Sequence, residues 1–381
     1  MILFFSIFFA VYGTINYYIF IRGWQALAAL PHLRIYYLII FLIASLSYLT
    51  AKFLDKFLTP LLYDALLWVG SFWFSFMIYF LISIFLIDIS RFINGQLNIL
   101  PGIINQHYEI TKLILFFVVI FIVGIINIAG YINTRNPVIR TLPLQIQKKE
   151  STIDKLNVAL ISDVHISPVN DGKLLSKIVN KINELKPDIV LIAGDLVDDK
   201  ARILKERNIG RSLRKIKSKF GVYGITGNHE FINGIENTVQ YARELGVHVL
   251  RDSSVKIENL FYLIGRDDRS KKQFTGKDRK SLNELMNDVD KGLPIILMDH
   301  TPLSLEKAQN NGIDLQLSGH THHGQFFPVN LITSLIYELS WGYMKKNNTQ
   351  YYVSCGVGTW GPTVRNVSKP EIVNLKIKFV N

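Results

Sequence analysis

Residues 157–165 read Asn157-Val-Ala-Leu-Ile-Ser-Asp163-Val-His165, and residues 188–198 read Asp188-Ile-Val-Leu-Ile-Ala-Gly194-Asp195-Leu-Val-Asp198. Each is an apolar run of strand length that ends abruptly in carboxylates or imidazole. The pattern returns three times: Val222–Thr226 ends in Gly227-Asn228-His229-Glu230, Pro294–Met298 in Asp299-His300, and Asp314–Leu317 in Ser318-Gly319-His320-Thr-His322-His323-Gly-Gln325. Six of the nine histidines sit at these turns, so chance placement is a poor explanation. Between the runs lie helical patterns, among them 171–185, with apolar positions at Leu174, Leu175, Ile178, Val179 and Ile182 and a stop at Pro187. Strands alternating with helices predict an α/β domain. Their carboxyl ends converge on one edge, where ligands bind.

The donors gathered there are carboxylate, amide oxygen and imidazole, without thiolate. That set suits Mn, Fe or Zn, not a structural zinc ribbon, and it is large enough for two ions. Asp163 and His165, like His320 and His322, are expected to share a face as alternate residues at a strand end. Each pair can serve one ion or divide between two neighbours. The glycines before Asp195, Asn228 and His320 allow tight turns and close backbone approach.

Taken together, Asp163-x-His165, Gly194-Asp195-x-x-Asp198, Gly227-Asn228-His229-Glu230, His300 and Gly319-His320-x-His322 resemble the calcineurin-like binuclear metallophosphoesterase family. All five blocks stand in family order over roughly residues 155–325. The stretch from Asp314 to Gln325, with 356–365 and Pro370-Glu371, is similar to its bacterial membrane-associated subgroup. The resemblance implies a double β-sandwich flanked by helices. It also implies two divalent metal ions, one held by Asp163, His165 and His322, the other by Asn228, His300 and His320, with Asp195 bridging. His229 would be the catalytic histidine that protonates the leaving group or stabilises the transition state, and Asp198 would support the ligands. Such a pair of cations acidifies a bound water and clamps the phosphoryl oxygens, the two obstacles in phosphoester hydrolysis. His323 stands where the subgroup usually has a second glycine; a tolerated loop substitution is favoured over a role in the site.

Composition separates this half from the rest. The 381 residues are 49% hydrophobic and 19% charged, with a net charge of +12, and Cys355 is the lone cysteine. Disorder and a disulfide scaffold are excluded. The apolar excess is concentrated in stretches 2–21, 35–51, 65–87 and 113–134, which lack charged residues and approach the roughly 20 residues needed to span hydrocarbon. Residues 1–134 are therefore expected to form a four-helix transmembrane region, and 135–381 the metallophosphoesterase domain. Basic residues flanking the spans place the 52–64 loop and the domain on one side by six to four, a cytoplasmic orientation for a multi-pass protein of the cell membrane.

The expected activity is membrane-anchored hydrolysis of a phosphomonoester or phosphodiester, with the lipid bilayer and a phosphorylated small-molecule or lipid-linked substrate as partners. The rival is a membrane sensor or scaffold whose metal site binds phosphate without turnover. A transporter-like role is disfavoured because the four stretches hold no Lys, Arg, Asp or Glu. Residues 200–219 carry nine basic residues and one acid, Glu206, with Arg207, Arg211 and Arg214 on one face of an expected basic helix over 201–220. Anionic lipid headgroups or a merely solvated face account for it about equally; nucleic acid is disfavoured, since no aromatic platform interleaves. The apolar stretch 326–343 is expected to be a buried amphipathic helix, with a cap over the site or a dip towards the bilayer as the alternatives. Asp267, Asp268 and Arg365 are read as salt-bridge residues that could also approach substrate.

Overall fold

The computed structural model of the protein describes residues 2–147, 152–170 and 172–380, with side chains from residue 6 onwards. Lys148, Lys149 and Asp171, used in the charge count and the helix start above, lie outside the described residues. The chain divides into two compact units, 1–131 with 361–364, and 132–360 with 365–381.

The first unit contains four long helices, α1 (Ile2–Ala26), α2 (Arg34–Phe53), α3 (Pro60–Leu97) and α4 (Tyr108–Thr134). Among the described residues, three helical stretches are long and apolar enough to cross a membrane: Pro31–Phe53, Pro60–Leu97 and Tyr108–Thr134. The expected four spans thus become three. The first, 2–21, is helical within α1 but is not among them, and the side chains of its first residues are not described. α3 begins as its sequence dictates, with Thr59 accepting from Leu62 N at 3.4 Å and a proline at the first position. It overruns the charge-free stretch 65–87 at both ends and so includes Asp64, Asp88 and Arg91.

A Cβ added to Gly70 of α3 would lie 2.4 Å from the backbone nitrogen of Tyr48, so α2 and α3 cross nearly backbone to backbone. This is how helices associate where apolar burial gives no preference over lipid. Polar side chains inside the bundle satisfy one another. Trp73 Nε1 donates to Asn16 Oδ1 at 2.9 Å, Ser75 Oγ to Asn127 Oδ1 at 2.5 Å, and the Tyr12 hydroxyl to Ser45 O at 2.6 Å.

Among its described residues the second unit holds twelve strands: β1 (Val138–Gln147), β2 (Lys155–Ile161), β3 (Ile189–Ile192), β4 (Val222–Ile225), β5 (His248–Leu250), β6 (Ser253–Ile257), β7 (Phe261–Gly265), β8 (Ile295–Met298), β9 (Leu315–Ser318), β10 (Gly342–Lys346), β11 (Thr349–Val353) and β12 (Glu371–Val380). They form two six-stranded mixed sheets, ordered β1-β12-β2-β3-β4-β5 and β10-β11-β9-β8-β7-β6. Leu156, Val158 and Leu160 of β2 share one buried cluster with Leu263 of β7, Ile296 of β8 and Leu317 of β9, so the sheets pack face to face. The opposite face of the first sheet is covered by the helix Gly172–Glu184, whose buried positions are the five apolar residues named from its spacing. The outer face of the second sheet packs on Leu282, Leu285, Leu305 and Ala308.

Two expectations for this unit fail. No single basic helix spans 201–220. A helix over Ala201–Glu206 stops, Gly210 takes φ 101°, and a 3-10 turn follows over Arg211–Lys215. Arg207, Arg211 and Arg214 therefore share no continuous helical face. Part of the charge is spent locally, since Arg202 pairs with Glu206 and Lys205 with Glu244. The second failure is at 326–343. The helix there, Val329–Ile336, buries none of its residues, and Leu335 is 88% exposed.

Candidate metal centre

The centre lies at the carboxyl ends of five strands, three mutually parallel in the first sheet and two in the second. β2 delivers Asp163 and His165, β3 Asp195 and Asp198, β4 Asn228 and His229, β8 His300, and β9 His320 and His322. Two of these pairings were expected from strand alternation, and that reason is wrong. β2 ends at Ile161, and Asp163 and His165 have φ of 53° and 48°; β9 ends at Ser318, and His320 and His322 have φ of 70° and 47°. Asp195 is likewise left-handed at 50°. Non-glycine residues rarely adopt this conformation, which costs on the order of 1–3 kcal/mol each and persists only where the surroundings impose it. Here it turns successive side chains inward from loops too short to reach otherwise.

Three groups of side chains present donor atoms close enough for one ion each: Asp163, His165 and His322; His165, Asp195 and His229; Asp195, His300 and His320. The pair Asp163 and His165 stays together, whereas His320 and His322 divide. In the first group His165 Nε2 lies 3.0 Å from His322 Nε2, and Asp163 Oδ1 lies 3.3 Å from the latter. In the third, Asp195 Oδ2 lies 3.1 Å from His300 Nε2. The same carboxylate oxygen is 3.9 Å from His165 Nε2, so Asp195 stands between the two groups. Asn228 Oδ1 lies 2.9 Å from His320 Nδ1. All seven residues expected as ligands come together, and His323 does not join them. Its Nδ1 faces Ser340 Oγ at 3.2 Å and its ring lies against Trp341.

The donor set fits a divalent cation. His300 Nδ1 lies 2.7 Å from Ala193 O, so a neutral ring would keep its proton there and offer Nε2 to a cation. That Nε2 is buried without a hydrogen bond of sound geometry. Burial would lower the pKa of His300 and raise that of Asp195, but their mutual attraction outweighs it, lifting the imidazole and depressing the carboxyl. Asp163 follows the same logic: burial opposes ionisation, and His322 and then His300 overcome it. Burial pushes His322 down to about 4 despite Asp163, so it is a neutral imidazole at pH 7, the form that ligates metal.

His229 is built differently. Its Nδ1 bonds to Asp198 Oδ1 and its backbone nitrogen donates to Asp195 Oδ1 at 2.9 Å. Burial lowers its pKa, yet Asp198 and then Asp195 more than compensate and bring it to about 10. Its ring stands edge-on to His165 with centroids 4.6 Å apart.

Comparison with known proteins gives the family. The sequence model of the family described as calcineurin-like phosphoesterase matches residues 156–324. A metallophosphoesterase of Aquifex aeolicus (strain VF5) is 31% identical over 226 residues, 59% of this chain and 85% of that protein. The chain belongs to the calcineurin-like phosphoesterase family. A transmembrane protein with metallophosphoesterase domain from Danio rerio is 30% identical over 275 residues, 68% of this chain. A metallophosphoesterase of Helicobacter pylori (strain J99) is 32% identical over 251 residues, 65% of this chain. The chain spans 62% and 65% of the lengths of these two relatives, a little under two thirds.

Several residues around the site take positions that sequence reasoning did not give them. Glu230 is buried and its carboxylate accepts from Val197 N at 2.8 Å, Gly227 N at 2.7 Å and Asp195 N at 3.2 Å, tying the loops after β3 and β4 together. Burial and the neighbouring Asp195 raise it to about 7. Asn170 donates to His165 O at 3.0 Å and Thr359 O at 2.8 Å. Arg365, read as a salt-bridge residue, has no carboxylate partner among the described residues. It is fully buried, and its Nη2 donates to Cys355 O at 2.7 Å and Gly358 O at 3.0 Å beside His322. Asp267 does pair, with Arg251 and Lys271, while Asp268 accepts from Thr301 Oγ1 at 2.8 Å. Glu230 left a trace in the sequence as the last residue of a motif already singled out, whereas Asn170 left none.

Proposed function

We propose that the protein is a membrane-anchored, metal-dependent phosphoesterase that hydrolyses a phosphomonoester or phosphodiester with a water activated between two divalent ions. The reading is carried by Asp195, whose carboxylate faces both donor groups at once. Asp163, His165 and His322 would hold one ion and Asn228, His300 and His320 the other, with Mn, Fe or Zn all compatible with these donors. Such ions, when bound, supply an acidified water and neutralise charge on the phosphoryl oxygens. The chain's own contribution to leaving-group departure is His229. With Nδ1 fixed on Asp198 it holds its transferable proton at Nε2, as a general acid must.

A lipid-linked or envelope-precursor substrate is favoured by the helix Val329–Ile336. Phe327, Leu331, Ile332 and Leu335 are exposed on or beside it, and Tyr337 at its end packs 6.0 Å from the His320 ring. An apolar surface this close to the centre suits an acyl or isoprenyl chain attached to the phosphate. We place the phosphoesterase unit in the cytoplasm. The 52–64 loop and the unit are separated by α3 and α4, an even number of crossings, so this side does not depend on whether α1 also spans.

The test is a Mn²⁺-supplemented screen of phosphomonoesters, diesters and lipid pyrophosphates with the full chain. Asp195→Ala should lose both turnover and bound metal; His229→Ala should lose turnover and keep its metal. Unchanged turnover in Asp195→Ala would sink the mechanism, and no turnover together with no retained metal would favour the scaffold reading. Much faster cleavage of soluble nucleotides than of any lipid phosphate would remove the lipid-linked substrate.

A further inference from the structure

The first unit contains a half-open cavity of about 750 Å³ between its helices, within the roughly 300–1,000 Å³ usual for ligand sites. Its walls are apolar and largely aromatic, including Ile40, Phe41, Trp73, Phe76, Leu115 and Ile120. Its charged lining is confined to Arg22, Asp88, Arg91 and Lys112. The up-and-down course of the helices explains the segregation. The end of α1, the end of α3 and the start of α4 all lie at the same end of the bundle.

These groups are organised. Asp88 lies between two guanidiniums, 2.7 Å from Arg22 Nη2 and 3.1 Å from Arg91 Nη1, and accepts from the Tyr18 hydroxyl at 2.6 Å. Arg91 and Lys112 both sit over the Tyr108 ring, at 5.7 and 4.9 Å, and Lys112 also pairs with Glu109. Three cations against Asp88 and Glu109 leave one unit of positive charge at the mouth. α3, 38 residues long, extends about 57 Å, well beyond a hydrocarbon core of about 30 Å. Its charged end therefore reaches the level of lipid headgroups.

We propose that this cavity binds one phospholipid whose headgroup has a net charge of −1, its phosphate among Arg22, Arg91 and Lys112 and an acyl chain along the aromatic walls. Charge chooses the occupant. A soluble anion has no use for the apolar length of the cavity. A neutral amphiphile leaves the residual positive charge unmatched in a poorly hydrated setting. The inference rests on the helices alone and is independent of the metal centre.

Native mass spectrometry of the full chain tests it, with phosphatidylglycerol and phosphatidylcholine as probes. One phosphatidylglycerol should be retained in preference to phosphatidylcholine. Lys112→Gln, whose partner Glu109 is largely exposed, should weaken that preference about fivefold, and Arg22→Gln with Arg91→Gln should weaken it further. Ala44→Trp, which fills the cavity and leaves every charge in place, should reduce retention of both lipids. Equal retention of the two lipids by the natural sequence overturns the proposal, and so does undiminished preference in Lys112→Gln.

Discussion

Asp198 serves two histidines with one carboxylate, Oδ1 on His229 Nδ1 and Oδ2 3.3 Å from His165 Nδ1. It thereby fixes the ring that is to give up a proton and orients a ring that is to bind metal. Asp198→Asn keeps the shape and removes the charge. Because Asp198 raises the His229 pKa, losing it must lower that pKa, so the alkaline limb of the pH–rate profile should move to lower pH. An unmoved limb, with activity otherwise reduced, would mean that His229 is not the acid. At this scale the gathering of these side chains was legible in the sequence, because apolar runs that end in Asp, Asn or His bring them to one edge. The conformation was not. Asp163, His165, Asp195, His320 and His322 are all left-handed, a state their residue types do not announce. Glu230 was quoted within its motif yet had no function until two loops met around it.

Glycines set how near those loops come. A Cβ on Gly227 would lie 2.1 Å from Asp195 Oδ1 and 2.7 Å from Asp195 N, and one on Gly319 2.4 Å from Asp163 Oδ2. Gly227→Ala should therefore displace the shared carboxylate and cost metal content as well as turnover, while the sheets beneath keep their far-UV circular dichroism. Metal content equal to that of the natural sequence would contradict this. β3 and β8 were readable as elements because each is an unbroken apolar run. The basic segment was misread because charge periodicity says nothing about Asn208 and Gly210, which take φ of 54° and 101° and end the helix. A helix within 326–343 was legible from its apolar residues, but its exposure was not, because that lies in the tertiary arrangement.

At the scale of the whole chain, the second unit sets buried Asp163 and Asp195 and half-buried Asp198 among histidines, a cluster that cations would bind and so stabilise. Metal at about 100 times its Kd adds about 2.7 kcal/mol. In a domain of this size that corresponds to a Tm rise of about 5–10 °C. EDTA should lower the melting of this unit by that amount and leave helix loss in α2–α4 untouched; a single transition insensitive to EDTA would speak against a metal-stabilised unit. The division between an apolar bundle and a charged α/β unit was plain from composition. The number of spans was not, since 20 charge-free residues in α1 satisfied a length rule that fuller accounting reduced to three helices.

The position of β12 has a temporal meaning. It lies between β1 and β2, parallel to one over ten residue pairs and antiparallel to the other. β1 follows directly on α4, so it leaves the ribosome when the last membrane-directed helix has just been made. It must then wait until residues 371–380 appear before it acquires any neighbour in its sheet. Throughout that interval β1 and β2 present unpaired edges to the cell. The order of synthesis thus makes the stretch from β1 to β11 a prolonged target for chaperones and proteases, and the arrival of β12 the event that ends it.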